Sequence, residues 1–444
     1  MITLAPNRNA SYLAELLKLR SPVNPLLQEI RDRAESEVRE LAIPTTRDED
    51  WRFTDLSSLL EVGFQNPGSV TVTEAEIAPF MLPETDRTHL VFVDGVYAPD
   101  LSNLEGLPDG VYAGNLEGLS EEKCDRLPDY FDGQLEFCEV FTALNSASFS
   151  DVAIVWVAKG TIVETPIQVL LISTLGDTPT LSQPRCLVVA EANSGITFVE
   201  QYASTTPGCP DGKTGHPYFT NAVTEICIEA NAEVRHVRTQ RDAAEAFHIG
   251  KSAVTQHRDS RYTCHAITLG AKLSRHNLEV FQSGEGTQTT LNGLTLISGE
   301  QVADTHSTVA LEFPNGTVDQ LHKCILDGKS HGVFDGRICV PKAAQLTNAS
   351  QLNRNLLLSP KARVNTKPQL EIVADNVKCA HGATVSQLEE DEVFYLQSRG
   401  LDRQSSENLL IDAFAAEVIQ ELPIASLKNI LSQCVSCRSL FGHR

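Results

Sequence analysis

Cys379 and His381 stand two residues apart in the segment PQLEIVADNVKCAHGAT, which runs from Pro368 to Thr384. On an extended strand, residues i and i+2 project from one face, so the thiol and the imidazole would emerge side by side. A soft sulfur donor beside a borderline nitrogen donor suits iron or an iron-sulfur cluster. Two ligands do not complete a site, so the remaining donors must come from elsewhere in the fold or from another subunit. Spacing alone favours a structural cysteine beside a hydrogen-bonded histidine and leaves the ligand role open.

Other chemically suggestive groups are weaker. Cys434 and Cys437 form a CxxC with His443 six residues on. Without a second CxxC or a βαβ context, the pair reads as a tail feature with no fixed role. Cys264 and His265 are adjacent, so on a strand they face opposite ways and cannot share a metal. The glycines at 284, 286 and 293 belong to no GxxxxGK[ST] loop, and no G-x-S-x-G elbow occurs. The chain is therefore expected to bind no nucleotide and to catalyse no reaction alone. Any ATP hydrolysis belongs to a partner.

The elements that must position these residues follow from composition and pattern. At 444 residues the chain should form two or three units, or one elongated repeat with appendages. With 58 acidic against 36 basic side chains the formal charge is -22, which repels nucleic acids and anionic membranes. The N-terminal residues MITLAPNRNASYLAELLKLR lack a signal-type apolar stretch, and no apolar run of about 18 residues occurs, so a cytoplasmic location is expected. The 11 cysteines are scattered singly, without a disulfide-framework spacing, as buried small side chains would be.

Leu27, Ile30, Ala34, Val38 and Leu41 recur at helical intervals after Pro25 and before Pro44. From about Val140, runs such as Val152 to Val157, Ile167 to Ile172, Cys186 to Val189, Ile196 to Val199 and Val223 to Ile228 read as strands without intervening helices. The stretch EANSGITFV from Glu191 is echoed by EANAEVRHV from Glu229, with a weaker copy from Thr268 to His276, an offset of roughly 38 residues. Asn or Gly before each strand suits the left-handed corner of a parallel β-helix, whose coils bury their inner faces only by stacking. A β-sandwich is the alternative fold.

Helices are expected to return after Val385. Ser386 and Glu389 have the spacing of a capping box, Gly400 can end the first helix, and a second is expected from Ser405 or Ser406 to Pro423. A short third would begin near Leu427. Leu410, Phe414 and Val418 fall on one side of the second helix, which could dock either on the chain's own β-helix or on a partner.

The segment around Cys379 and His381, the stretch LNRNLLLS from Leu352 and FYLQSRG from Phe394 together resemble the C-terminal signature of the SufB/SufD family of iron-sulfur cluster assembly proteins. EDWRFTD from Glu49 resembles the N-terminal motif of the family's SufD branch. The resemblance implies a mainly β fold: a right-handed parallel β-helix core over 140–385, an N-terminal helical or mixed domain over 1–139, and a C-terminal helical domain over 386–444. It implies a scaffold that pairs with SufB and docks the ATPase SufC through its C-terminal helices, with Leu410, Phe414 and Val418 as candidates. His381, then Cys379, would ligate a nascent iron-sulfur cluster shared transiently with SufB. A homodimer in isolation is also plausible, because strand edges can self-pair. The other readings are a purely structural partner of SufB and a β-helical carbohydrate-active enzyme.

Overall fold

The computed structural model describes residues 8–20, 27–68, 70–131, 139–205 and 215–441. Its centre is a parallel β-solenoid of about eight turns. From Tyr218–Ile228 onward the strands alternate between two sheets, and each strand pairs in parallel with the one a full turn earlier. The first sheet runs through Gly195–Ser204, Glu233–Arg241, Arg261–Thr268, Gln288–Ile297, Thr317–Leu326 and Asn348–Leu357 to Lys378–Ser386. The second runs through Tyr218–Ile228, Phe247–Gln256, Leu273–Gln282, Val302–Leu311 and His331–Val340 to Arg363–Ile372. Inward residues of both sheets, among them Val188, Phe198, Val234, Val254, Val309, Val318 and Val340, form one continuous apolar core. This is why neither sheet could stand alone.

The repeat read from the sequence is a true stack, with a shorter period. Gly195 pairs with Glu233, Asn193 and Asn231 both have φ of 59°, and Asn231 Nδ2 donates to Asn193 Oδ1 at 2.9 Å. The next residue at that corner is Asp259, also at φ 59°, and its strand aligns Glu233 with Arg261. The segment 268–276 is instead on the other corner, at Ala271 with φ 73°. Similar turn chemistry at two corners produced the misassigned third copy.

The sheets begin earlier than the strand-rich texture suggested. His89–Val93 joins the first sheet beside Ile167–Ser173, and Val111–Gly114 joins the second beside Ala153–Val157. The expected helix occupies Gln28–Glu40, burying Ala34 and Val38, and packs on the helix Val140–Ser148. After the solenoid come helices Glu390–Ser398, Arg403–Ile419 and Ala425–Phe441.

Three local expectations differ there. Ser386 ends the last strand, and no side chain caps the following helix at Glu389, so the Ser386–Glu389 spacing forms no capping box. The next helix starts at Arg403, with Asp402 accepting from the Ser405 amide at 2.7 Å. A carboxylate three residues upstream of Ser405 won over the serines, as its charge also favours a helix N-terminus. The final helix is 17 residues long rather than short. Gly400, at φ 98°, ends its helix as expected. Among the described residues no helix is long and apolar enough to cross a membrane.

Candidate functional site

Among the described residues Lys378–Ser386 pairs only with Asn348–Leu357, and Arg363–Ile372 only with His331–Val340, so both sheets finish there with a free edge. The solenoid is open at this end. The register aligns Ala349 with Cys379 and Gln351 with His381. Ala349 and Gln351 are both buried, at 2% exposure, and face the solenoid interior, so the same alternation turns Cys379 and His381 inward over the open end. Cys379 is half-buried against the core and His381 is exposed.

The two candidate ligands therefore share a face, as their spacing predicts, but differ in environment. Burial favours the neutral Cys379 thiol and pushes it up, against a smaller opposing pull from a hydrogen bond with the Ala349 backbone. Among the described residues no side-chain hydrogen bond or ion pair holds His381, and no group of three or more potential ligands converges as a metal site. Two clefts lie elsewhere on the chain. One of about 580 Å³ separates Trp51 and Glu139 from the outer face of the second sheet, and one of about 540 Å³ lies beside Val70 and Val96.

The C-terminal helices divide their apolar residues between two surfaces. Val418 is fully buried, Phe414 partly, both against the outer face of the first sheet with Val237, Ile267, Leu294 and Ile325. Lys323, 2% exposed on that face, donates to the Phe414 carbonyl at 2.8 Å, sits 4.3 Å over the Phe414 ring and ion-pairs with Glu417. Phe414 and Val418 thus dock the helix on its own solenoid, while Leu410 is half-buried. The residues turned to solvent are Phe394 (71% exposed), Tyr395 (56%), Leu409 (49%) and Leu401 (38%). Cys434 lies in the last helix, packed at the margin of the same cluster. The Cys437 side chain and His443 lie outside the described residues. Cys264 and His265 do face opposite ways: Cys264 joins the interior core, and His265 sits on the outer face.

Sequence reasoning passed over Gln351, Lys323 and Arg275. Lys323 stands between Leu321 and Ile325 on one strand face, which is the available signal, since buried polar groups need assigned partners.

Two family models cover the chain: the SufBD protein N-terminal region over residues 11–169, and the SufBD core domain of SUF system iron-sulfur cluster assembly over 172–414. An iron-sulfur cluster assembly SufBD family protein of Synechocystis is 48% identical over 90% of this chain and 88% of that protein. The iron-sulfur cluster assembly protein SufD of Escherichia coli is 30% identical over 87% of each chain. The chloroplastic protein ABCI7 of Arabidopsis thaliana is 37% identical over 92% of this chain and 86% of that protein. An open-ended solenoid carrying Cys379 and His381, matched along almost its whole length, belongs to the SufBD family of iron-sulfur cluster assembly proteins.

Proposed function

We propose that the chain is the SufD-type scaffold subunit of a SufB–SufC–SufD complex and that His381, aided by Cys379, ligates the nascent cluster where its solenoid meets that of SufB. One observation carries this reading. His381 occupies a terminal strand, paired along one edge and free along the other, at the open end of the solenoid, inward-facing yet exposed. An exposed edge-strand side chain adds little to the stability of its own chain, which disfavours a purely structural role. A cysteine ligates as the thiolate, and burial holds the Cys379 thiol against losing its proton, so His381 ranks first. The remaining donors come from the partner. The free edges and the exposed Ile372, Val373 and Val385 support pairing of this end with a second solenoid.

SufC docks, in this reading, on the solvent side of the C-terminal helices, centred on Phe394 and Tyr395, with Leu401, Leu409 and the half-buried Leu410 beside them. Phe414 and Val418 fix that platform to the solenoid. The test is anaerobic purification of the complex from its native cells with wild-type chain or His381→Ala. Loss of iron and sulfide with retained SufB and SufC supports the ligand role; unchanged cluster content refutes it.

A further inference from the structure

Gln320, Gln351 and His381 follow one another in register on the inner face of the last three coils of the first sheet. Amides stacked in this way form a ladder, each donating its NH₂ to the acceptor of the coil before. Here the ladder starts at Ser307: Gln320 Nε2 donates to Ser307 Oγ at 2.8 Å, and Gln351 Nε2 donates to Gln320 Oε1 at 2.9 Å. An amide whose nitrogen is committed toward one coil turns its oxygen toward the next. The next residue in this column is His381.

Gln351 is 2% exposed, and its Oε1 is buried with no hydrogen-bond donor among the described residues. Such an oxygen is costly to leave unpaired. The side chain also has little freedom to turn away. A Cβ at Gly336 would lie 2.4 Å from Gln351 Nε2, so the amide fills the space that this glycine leaves open. Neighbouring strands are about 4.8 Å apart, a distance that an imidazole N–H on one spans readily to reach a glutamine oxygen on the other.

We infer that Gln351 is the positioning residue for His381: its Oε1 accepts a hydrogen bond from one imidazole N–H. That bond fixes the ring plane and the tautomer, and it leaves the lone pair of the other ring nitrogen directed out of the open end toward the cluster. Orienting partners of this kind govern how well a histidine ligates a metal. The inference rests on the ligand role proposed above, but the hydrogen bond itself can be observed without any cluster.

The test uses the full chain labelled with ¹⁵N at histidine, with the His381 resonances identified by their loss in His381→Ala. The wild type should show a single His381 tautomer with a ring N–H protected from solvent exchange. Gln351→Met should abolish that protection and mix the tautomers, whereas Gln351→Glu, which keeps an acceptor, should restore both. Ser307→Ala, which breaks the ladder two coils lower, should leave the signal unchanged and so controls for loss of stability alone. A wild-type ring already mixed in tautomer, or protection that survives Gln351→Met, would overturn the inference. In the complex, Gln351→Met should lower cluster content about tenfold and Gln351→Glu should recover it. Unchanged cluster content in His381→Ala would refute the ligand role alone, with the ring N–H still deciding the hydrogen bond.

Discussion

The guanidinium of Arg275 lies 3.9 Å over the ring of Trp51, joining the outer face of the second sheet to the EDWRFTD segment of the N-terminal region. Arg275 Nη1 also donates to the Asp50 carbonyl at 2.7 Å and to Asp304 Oδ2 at 2.5 Å. Thr54 Oγ1 reaches the same Asp304 oxygen, and Lys367, on the terminal strand, pairs with Glu49 at 2.6 Å. The motif is therefore a clamp that pins the N-terminal region to the solenoid along several coils. Trp51, 5% exposed, should cost about 3–5 kcal/mol when replaced by alanine. Arg275→Ala should cost a similar amount, because it leaves the buried Asp304 carboxylate without its guanidinium. Urea midpoints of the two variants and the double variant check this. A double-variant loss equal to the sum of the single losses would show that the two do not act together.

Stability should peak near neutral pH, because buried histidines pull it in opposite directions. Burial lowers His322 and His265 to about 4 each, with the nearby His236 also lowering His265. Both are neutral when folded yet take a proton below about 6.5 when unfolded, so stability falls as pH drops from 6.5 toward 4, by roughly 3 kcal/mol at most for each. Burial would lower His236 too, but Cys264 and Glu200 outweigh it and raise the group to about 9. Its contribution is complete below about 6.5 and fades as pH rises through 9. Urea titrations at pH 5, 7 and 9 should show the maximum at 7, and His322→Gln should flatten the acid side.

Leu346 holds a left-handed backbone, with φ of 61°, at the corner occupied by Asn193, Asn231, Asp259 and Asn315 in earlier coils. A leucine there carries steric cost that asparagine or glycine avoids, and with 56% exposure it gains little burial in return. Leu346→Asn should therefore stabilise the chain by about 0.5–1 kcal/mol. The readout is an increase in thermal midpoint, while Leu346→Val should lower it.

The solenoid was legible because its corner chemistry repeats: the Asn193 and Asn231 turns carry the same Glu-Ala-Asn lead, and their strands share a pattern. The period was not legible from those two copies, because the stretch of chain between Ser204 and Tyr218 lengthens that one turn relative to the 28 residues separating Asn231 from Asp259. The shared face of Cys379 and His381 followed from strand alternation alone. That His381 ends a column of amides did not, since Ser307, Gln320 and Gln351 are brought beneath it by pairings between distant coils. Helix periodicity likewise marked Phe414 and Val418 as an apolar face without saying what covers it. The answer depends on Lys323, 91 residues upstream of Phe414.

Lys323 and Glu417 should act as one unit in holding the C-terminal helices. Lys323 is almost fully buried, and among the described residues its charge is met from the helix side, by the Phe414 carbonyl and ring and by the Glu417 carboxylate. Glu417→Gln keeps the lysine buried but removes its counter-ion, whereas Lys323→Met removes the charge and keeps the apolar stem. Glu417→Gln should thus loosen Arg403–Ile419 in the wild-type background and have little effect beside Lys323→Met. Amide exchange along that helix measures it, and equal protection losses in both backgrounds would show that the carboxylate acts independently of the lysine. In contrast, Phe394→Ala combined with Tyr395→Ala, on the solvent side, should leave amide protection unchanged while weakening SufC capture at least tenfold. Undiminished capture would place the ATPase elsewhere on the chain.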